Sequence, residues 1–286
     1  MVAKGKSAGQ WYGYKNLGVY QYDVSNAYTD DFKTRLEPVL KRDDHNNVVI
    51  GLNGSPTLLG YTLPDGTPYT GDVKQMRVSG ENIARGGDVI YENTPDSEGN
   101  YDGYINEGDK QILGNANPDW YASWSNDFTY KNFTFSFNFY MSWGGLTYNR
   151  LKRYYTVWGG NTHMQHPEYI RTGWKYQGQI TPWYALNTKQ RATNTSNTGE
   201  LNSMYLEDAS FLRLKNVRLT YNLDNKFIKK TPLRNCQVYV YGNNLLTWTN
   251  YSGYDPEIGG SVLTPGRDDS AYPRYREIGF GINVGF

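Results

Sequence analysis

The chain has 286 residues, and 29 lysines and arginines against 28 aspartates and glutamates give it a net charge of +1. Positive and negative residues are nearly equal in number, which does not favour nucleic acid as a partner, because a basic face is needed to neutralise phosphates. The single cysteine, Cys236, excludes an intrachain disulfide framework and a cysteine-rich zinc module. No stretch approaches the roughly 18 apolar residues of a transmembrane helix, which excludes a helical membrane protein.

Aromatic residues make up 16% of the chain, with 27 tyrosines, 8 tryptophans and 10 phenylalanines beside 31 glycines. This composition favours strands and turns, and tyrosine suits surfaces that are half apolar and half wet. The mean hydropathy is −0.74. A polar average of this kind still allows a membrane location, because a transmembrane β-strand exposes only every second side chain to lipid.

The first predicted region, residues 1–118, is rich in loops and has brief strand patterns near Trp11–Tyr22, Val48–Leu52 and Asp88–Tyr91. Residues Thr29–Arg42 are predicted to form a short helix. The second predicted region, residues 119–286, carries the long strand patterns.

An acidic loop near the end of the first region has the spacing of a Ca²⁺-binding loop. Its candidate ligands are Glu98, Asn100, Asp102, Tyr104 and Asp109, with Gly103 at the position that requires a sharp turn. The last position holds Asp, which is too short to replace a bidentate Glu easily, and no helices flank the loop. The alternative is a turn in which the carboxylates cap backbone amides.

Residues 132–143 (NFTFSFNFYMSW) alternate strictly between apolar and polar side chains. A period of two over this length predicts a strand, and nine or more alternating residues suit a tilted strand that spans a bilayer. The phenylalanines share one face, which is predicted to contact lipid: Phe133, Phe135, Phe137 and Phe139.

Four more features continue this pattern. Residues 120–130 predict the preceding strand, which joins the next through a tight turn at Lys131 and Asn132. Residues 211–223 change phase near Asn216, which predicts a β-bulge, and residues 237–248 predict a strand kinked at 242–244. The chain ends in a strand with an apolar face that is predicted to face lipid and to guide assembly: Phe280, Ile282, Val284 and Phe286.

The polar stretches 149–203 and 249–274 contain scattered aromatic residues. Rings in long loops are candidates for stacking on sugars or gripping peptides, and the alternative is that they pack the loops or form a membrane girdle. The candidate substrate-binding residues are Trp11, Tyr12, Tyr14, Tyr154, Tyr155 and Trp158, and the related loop aromatics are Trp174, Trp183 and Tyr184.

Local motifs for catalysis are missing. His163 and His166 form only an isolated HxxH pattern, which is weak evidence for a metal site. Asp255 and Glu257 have no nucleophile or water placed beside them and are predicted to belong to a structural loop. Since no GxSxG, P-loop or HExxH motif is present, the sequence predicts no enzymatic activity.

In its order of motifs the sequence resembles the C-terminal part of a SusC/RagA-type TonB-dependent outer-membrane transporter. The matching blocks cover most of the chain, and they are WYGYKNLGVYQ (11–21), GDVIYEN (87–93), NYDGYINEGDKQILGNANPDW (100–120), KNFTFSFNF leading into WGG-TYN (131–149), LEDASFLRLKNVRLTYNL (206–223), VYVYGNNLLTWTNYSGYDPEIGG (238–260) and YPRYREIGFGINVGF (272–286). Residues 94–99 interrupt the usual junction between the second and third blocks.

The resemblance implies an all-β fold, made of the C-terminal strands of a large antiparallel transmembrane β-barrel with long extracellular loops. A barrel of this class needs well over ~400 residues, so the chain is expected to be a partial barrel without the plug, either a fragment or one part of a split transporter. The implied location is the cell outer membrane, in contact with its lipid. The implied role is import of an oligosaccharide or peptide, with a SusD-like surface lipoprotein and the TonB–ExbB–ExbD system, acting through the missing plug, as partners. No cofactor is required, and the acidic loop allows a structural Ca²⁺.

The rival hypothesis is a soluble, secreted β-sandwich that binds carbohydrate and uses the acidic loop for calcium. A sandwich requires short strands and a phenylalanine row enclosed in its core. A barrel piece requires long strands whose phenylalanine row stays exposed.

Overall fold

The computed structural model describes residues 9–78, 82–157, 166–185, 201–223, 225–228, 231–257 and 264–286. The chain forms two compact units, one built from residues 10–114 and 150–205 and the other mainly from residues 115–149 and 206–286. The chain passes from the first unit to the second between residues 114 and 115, close to the predicted boundary at 118. Residues 150–205, which were predicted to belong to the second region, belong to the first unit. Tyr14 joins the two parts of that unit, because its backbone bridges Asn202 in parallel and its N–H donates to the carbonyl of Leu201.

Among its described residues, the first unit contains nine short strands and two helices. The strands are β1 (Gln10–Gly13), β2 (Asn16–Val19), β3 (Glu37–Leu40), β4 (Leu58–Thr62), β5 (Pro68–Tyr69), β6 (Arg77–Val78), β7 (Val89–Tyr91), β8 (Tyr104–Ile105) and β9 (Gln111–Asn115, whose last residue lies at the unit boundary), and the helices are α1 (Arg150–Val157) and α2 (Pro167–Thr172). Strand β1 pairs with β9, β2 with β7 and β6 with β8, whereas β3, β4 and β5 form a three-stranded sheet. Single-turn 3₁₀ helices lie at Asp23–Ser25, Glu107–Asp109 and Ser203–Tyr205.

Two predictions for this unit are wrong. Residues Thr29–Arg42 are not helical: the N–H of Thr29 donates to the carbonyl of Thr34 and closes a turn, and β3 follows. The Thr29 hydroxyl accepts from the N–H of Thr34 at 3.1 Å, and such local bonds compete with a helix. Pro38 inside β3 also could not donate a helical hydrogen bond. The second wrong prediction is the strand near residues 48–52, which make only isolated β-bridges. The predicted strand near Tyr91 is confirmed as β7.

The second unit contains the long strands. They and the shorter elements of this unit are β10 (Trp120–Tyr130), β11 (Phe133–Trp143), β12 (Leu146–Asn149), β13 (Leu206–Asp208), β14 (Phe211–Asn222), α3 (Asn225–Ile228), β15 (Asn235–Thr249), β16 (Arg267–Asp268) and β17 (Glu277–Gly285). The main sheet is antiparallel and has the order β10-β11-β14-β15-β17. A small sheet of β13, β12 and β16 accompanies it.

The local irregularities of the main sheet occur where the sequence predicts them. Tyr130 pairs with Phe133, and Lys131 has a φ of 52°, so the tight turn is confirmed. The register of β14 against β15 shifts between Leu214 and Asn216, which confirms the bulge. Asn244, at the predicted kink of β15, has a φ of 51°.

The five strands of the main sheet are 11, 11, 12, 15 and 9 residues long. These lengths match or exceed the 9–11 residues with which a tilted strand crosses a bilayer. Within the described residues the sheet is open, and β10 and β17 are its two edges. No helix in the described ranges is long and apolar enough to span a membrane.

Candidate functional site

The main sheet has one apolar face. Cross-strand register places Phe135 of β11 beside Phe128 and Leu219 on its two neighbouring strands, and the same row continues to Val240 and Phe280. Side chains of this face are exposed although they are apolar: Phe128 58%, Phe133 49%, Phe135 39%, Leu219 46%, Val240 52%, Ile278 78%, Phe280 82%, Ile282 60%, Val284 42% and Phe286 78%. A contiguous apolar surface of this size is unfavourable in water and indicates contact with an apolar environment.

The phenylalanine row of β11 packs along its own face and is not enclosed in an interior. Phe137 and Phe139 are partly exposed and meet edge to face at 5.6 Å between ring centroids. Trp124 of β10 adds a T-shaped contact to Phe137 at 5.3 Å. Aromatic contacts between neighbours thus cover part of each ring and leave the row as a continuous surface.

The opposite face of the sheet is polar and is joined by hydrogen bonds between side chains. Asn138 donates to the hydroxyls of Ser123 and Ser125 at 2.8 and 2.7 Å. Further along, Asn216 donates to Asn243 at 2.8 Å, which in turn donates to Glu277 at 2.8 Å. These polar chains cross from strand to strand, so this face suits water.

Two tyrosines of β15 lie flat over glycines of β17 on the polar face. A Cβ at Gly279 would lie 2.6 Å from the Tyr241 ring, and a Cβ at Gly281 would collide with the Tyr239 ring. Only glycine allows this approach. The guanidinium carbon of Arg218 lies 3.8 Å from the centroid of the Tyr239 ring and completes the stack.

Arg213, only 1% exposed, anchors the loop after β15 to the polar face. Its Nη2 donates to Asp255 at 2.5 Å and its Nη1 to Glu257 at 2.7 Å, while its Nε donates to the hydroxyl of Thr247 at 3.0 Å. Arg274 adds a second cation, 3.0 Å from Glu257. The predicted structural role of the two carboxylates therefore has a partner in Arg213, which the sequence analysis did not single out.

A small pocket of about 210 Å³ lies beside this ion-pair network. Phe211 and Tyr140 form part of its wall, with ring centroids 5.8 Å apart, and Glu257, Ser142 and Thr147 add polar groups. Its volume is below the roughly 300 Å³ at which typical ligand sites begin.

The acidic loop is ordered by its own carboxylates. Both oxygens of Asp109 accept from backbone amides, one from Thr94 at 2.7 Å and the other from Asn106 at 2.8 Å. Asp102 accepts from the N–H of Tyr104 at 2.9 Å. Glu98 is exposed, and the adjacent turn is organised by Asp96, which accepts from the N–H groups of Glu98 and Asn100.

In the described part of the chain, no group of three or more His, Cys, Asp or Glu side chains is placed to hold a metal ion. The geometry of Asp109 matches the capping alternative, since its oxygens already have backbone donors. Calcium binding by Glu98, Asn100, Asp102, Tyr104 and Asp109 stays a prediction. His163 lies outside the described residues, as does Trp158.

Asp109 is expected to make the stability of this loop depend on pH. Burial raises its pKa above the ordinary value, although the amides of Asn106 and Thr94 oppose the shift. Asp109 therefore favours folding most at a pH below the ordinary Asp pKa, and this contribution is lost as pH rises through the raised value. We expect Asp109→Asn to remove this dependence in thermal unfolding of the detergent-solubilised receptor between pH 3 and 7.

Asp96→Asn is the matched control, because the pKa of Asp96 is lowered by hydrogen bonds from the amides of Asn100 and Glu98. Its contribution is present above the ordinary Asp pKa and is lost as pH falls through the lowered value. The two variants should therefore change the pH profile in opposite directions. Identical profiles would contradict the assignment of these opposite roles.

The candidate substrate-binding aromatics have different surroundings. Tyr12 is 36% and Tyr154 41% exposed, and Trp11 and Tyr155 are partly exposed. Tyr154 is held by Arg150, whose guanidinium lies 5.1 Å from the ring centroid. These four residues stay candidates for substrate contact.

Tyr14 is only 3% exposed, and its ring lies 5.4 Å from that of Tyr91, so it packs the interior and does not offer a face to a ligand. The same applies to the loop aromatics Trp174, Trp183 and Tyr184, which are 6%, 8% and 0% exposed. The hydroxyls of Tyr184 and Tyr205 lie 3.2 Å apart, and burial raises the pKa of Tyr184 well above its usual value.

Comparison with known proteins gives matches along the whole chain. The chain is 33% identical over 289 residues to TonB-dependent receptor P39 of Formosa agariphila, an alignment that covers 100% of this chain and 26% of that protein. It is 35% identical over 195 residues to receptor P26 (65% of this chain and 19% of that protein) and 28% identical over 286 residues to receptor P3 (95% and 26%), both of the same organism. The chain thus spans about a quarter or less of the curated relatives it matches. No family model matches the sequence.

Two similar solved structures are those of the RagAB peptide transporter and of the RagAB peptide importer in its "closed-closed" state. The first has a TM-score of 0.55 and 22% identity over 70% of this chain and 21% of that chain, and the second has 0.55 and 20% over 96% and 23%. With the two-faced sheet, this similarity defines part of a large antiparallel transmembrane β-barrel with long loops. Together these similarities support the interpretation of the chain as a C-terminal part of a SusC/RagA-type TonB-dependent receptor.

Proposed function

We propose that the chain forms the C-terminal wall and rim of an outer-membrane barrel that imports a nutrient with energy from TonB. The observation that carries this proposal is the continuous apolar face of the main sheet, exemplified by Phe135 at 39% and Phe280 at 82% exposure. Lipid tails are the environment in which such a face is stable, and the polar face then lines the lumen.

The connections between strands support a definite orientation. At one end of the sheet, β10 and β11 are joined through residues 131–132, and β14 and β15 through residues 223–234. At the other end the connections are long, spanning residues 144–210 and 250–276. Short turns on the periplasmic side and long loops outside are typical of bacterial outer-membrane barrels. Phe286 then lies at the periplasmic end of β17, where an aromatic girdle is expected.

The cargo is a peptide or an oligosaccharide. The similarity to the RagAB peptide importer supports a peptide, and the exposed rings of Tyr12 and Tyr154 are compatible with either cargo. Import requires partners that lie outside this chain: a SusD-like surface lipoprotein over the mouth of the barrel, and TonB–ExbB–ExbD acting through the plug. In this role the chain binds and guides cargo and is not an enzyme.

The soluble sandwich is less well supported. It requires short strands and an enclosed phenylalanine row, whereas β15 has 15 residues and Phe133 is 49% exposed. Within the described residues, Phe128 and Phe280 of the apolar face are 58% and 82% exposed, so this face is not an enclosed core.

The test uses the bacterium that carries the receptor, with its gene deleted and then restored. We expect an epitope-tagged receptor in the outer-membrane fraction, and uptake of labelled peptides or oligosaccharides only when both the receptor and TonB are present. A receptor found in the soluble fraction, or uptake unaffected by removing TonB, would contradict the proposal. Separate peptide and oligosaccharide mixtures identify the cargo class.

A further inference from the structure

Arg218 lies on the polar face of β14 with part of its side chain fixed and part free. Its register partners are Ser136 on β11 and Tyr241 on β15. The guanidinium carbon lies 3.8 Å from the centroid of the Tyr239 ring, and Nε donates to the hydroxyl of Thr220 at 3.1 Å. Nη1 and Nη2 have no hydrogen-bond acceptor among the described residues.

This arrangement differs from that of Arg213, the other arginine on the same face of β14. Arg213 is buried, and its Nε, Nη1 and Nη2 donate to a hydroxyl and two carboxylates. Arg218 is partly exposed, and no carboxylate pairs with it in the described ranges. The two arginines on this face therefore differ in their hydrogen bonding: Arg213 completes a structural network, whereas the Nη groups of Arg218 are available as donors.

The stack under Arg218 is itself fixed. Gly281 allows the Tyr239 ring to lie flat against β17, since a Cβ at this position would collide with the ring. The guanidinium then rests on the ring, and Thr220, 9% exposed, holds its Nε edge. Little conformational freedom is left for the guanidinium to lose when an anion binds, so its two Nη groups are preorganised as a fork.

We infer that Arg218 is a binding site for a carboxylate of the transported cargo, and that this cargo is an acidic peptide. A planar guanidinium fork matches a carboxylate with two parallel hydrogen bonds. One face of Tyr239 is covered by Arg218, which removes it as a stacking surface for a sugar ring. Ser136 and Thr220 nearby offer hydroxyls, and the carboxylate on the same row, Asp127, lies one strand further away, opposite Ser136. This inference rests on the proposed import function, because it requires the polar face to line the lumen.

The test compares cargo with and without the charge. Uptake is measured for the intact receptor in the outer membrane, with a labelled pentapeptide that carries an acidic side chain and a free C-terminal carboxylate and with its neutral amide analogue. We expect Arg218→Gln to reduce uptake of the acidic peptide roughly tenfold or more relative to its amide, as for loss of a charge-assisted hydrogen bond. Arg218→Lys should fall between the two, since it keeps the charge but loses the fork and the stack.

Three further variants distinguish binding from a structural effect. Tyr239→Leu removes the aromatic ring that supports the Arg218 guanidinium and should weaken discrimination between acid and amide. Arg276→Gln removes the same charge at an exposed position elsewhere and should leave discrimination unchanged. Asp127→Asn removes the carboxylate opposite Ser136 on the polar face and should not lower uptake of the acidic peptide. If Arg218→Gln lowers uptake of acid and amide equally, Arg218 has a structural role or pairs with the receptor itself, and the inference is wrong.

An acidic oligosaccharide with uronate groups is the second arm. If it loses uptake in Arg218→Gln while the acidic peptide does not, the inferred peptide is wrong. If the parent receptor imports nothing, the proposed function fails. If the parent imports both peptides and Arg218→Gln does not change their ratio, only the inference about Arg218 fails.

Discussion

Phe137→Lys is expected to prevent insertion of the receptor into the outer membrane, whereas Ser136→Lys is tolerated. Both residues lie near the middle of β11, but register pairs Phe137 with Val217 on the apolar face and Ser136 with Asp127 on the polar face. A lysine on the lipid side near the bilayer midplane costs about 2–4 kcal/mol. On the polar side it keeps its water and lies between Asp127 and Arg218, so that attraction to one neighbour offsets repulsion from the other.

The measurement is the amount of folded receptor in the outer-membrane fraction, judged by its heat-dependent migration on a gel. Phe137→Leu is the control for loss of the aromatic contacts with Trp124 and Phe139, and it should insert nearly normally. Equal insertion of the two lysine variants would show that the apolar face does not meet lipid.

Arg213→Ala is expected to destabilise the receptor by about 3–5 kcal/mol, because removal of one partner leaves charges without compensation in a buried place. The side chains of Arg213, Asp255 and Glu257 are 2%, 5% and 20% exposed, so water cannot replace the lost cation freely. The loop at 250–276 should also become sensitive to protease, since Asp255 and Glu257 would no longer hold it to the strand.

Unfolding in denaturant and limited proteolysis of the detergent-solubilised receptor measure these two effects. Arg267→Ala is the control: Arg267 pairs with Asp269 at 3.0 Å, but their side chains are 40% and 48% exposed. Such surface pairs contribute about 0–1 kcal/mol. If Arg213→Ala unfolds like Arg267→Ala and its loop stays resistant, the network does not have the anchoring role.

Local patterns predicted the main sheet because its causes are local. Alternation along residues 133–139 gives the apolar face directly, and the phase change near Asn216 gives the bulge, since each needs only neighbouring residues. The turn at Lys131 follows from the two strands on either side. These predictions needed no knowledge of distant contacts.

The features that sequence reasoning missed depend on distant residues. Arg213 meets Asp255 across 42 positions in the chain, and nothing in the local pattern connects them. Tyr14 is buried because its backbone meets residues 201–203 and its ring meets Tyr91, so a composition argument could not separate it from the exposed Tyr12. The helix predicted at 29–42 failed because Thr29 forms a side-chain bond that competes with it.

The two open edges of the main sheet have a practical consequence. In the described residues β10 and β17 each have a neighbour on one side only, so each keeps a row of backbone donors and acceptors available to any other extended chain. A polypeptide produced with these strands alone has two unpaired strand edges and an exposed apolar face. It should therefore polymerise edge to edge or collect in inclusion bodies. Coexpression with the strands that close the cylinder is the way to keep it folded.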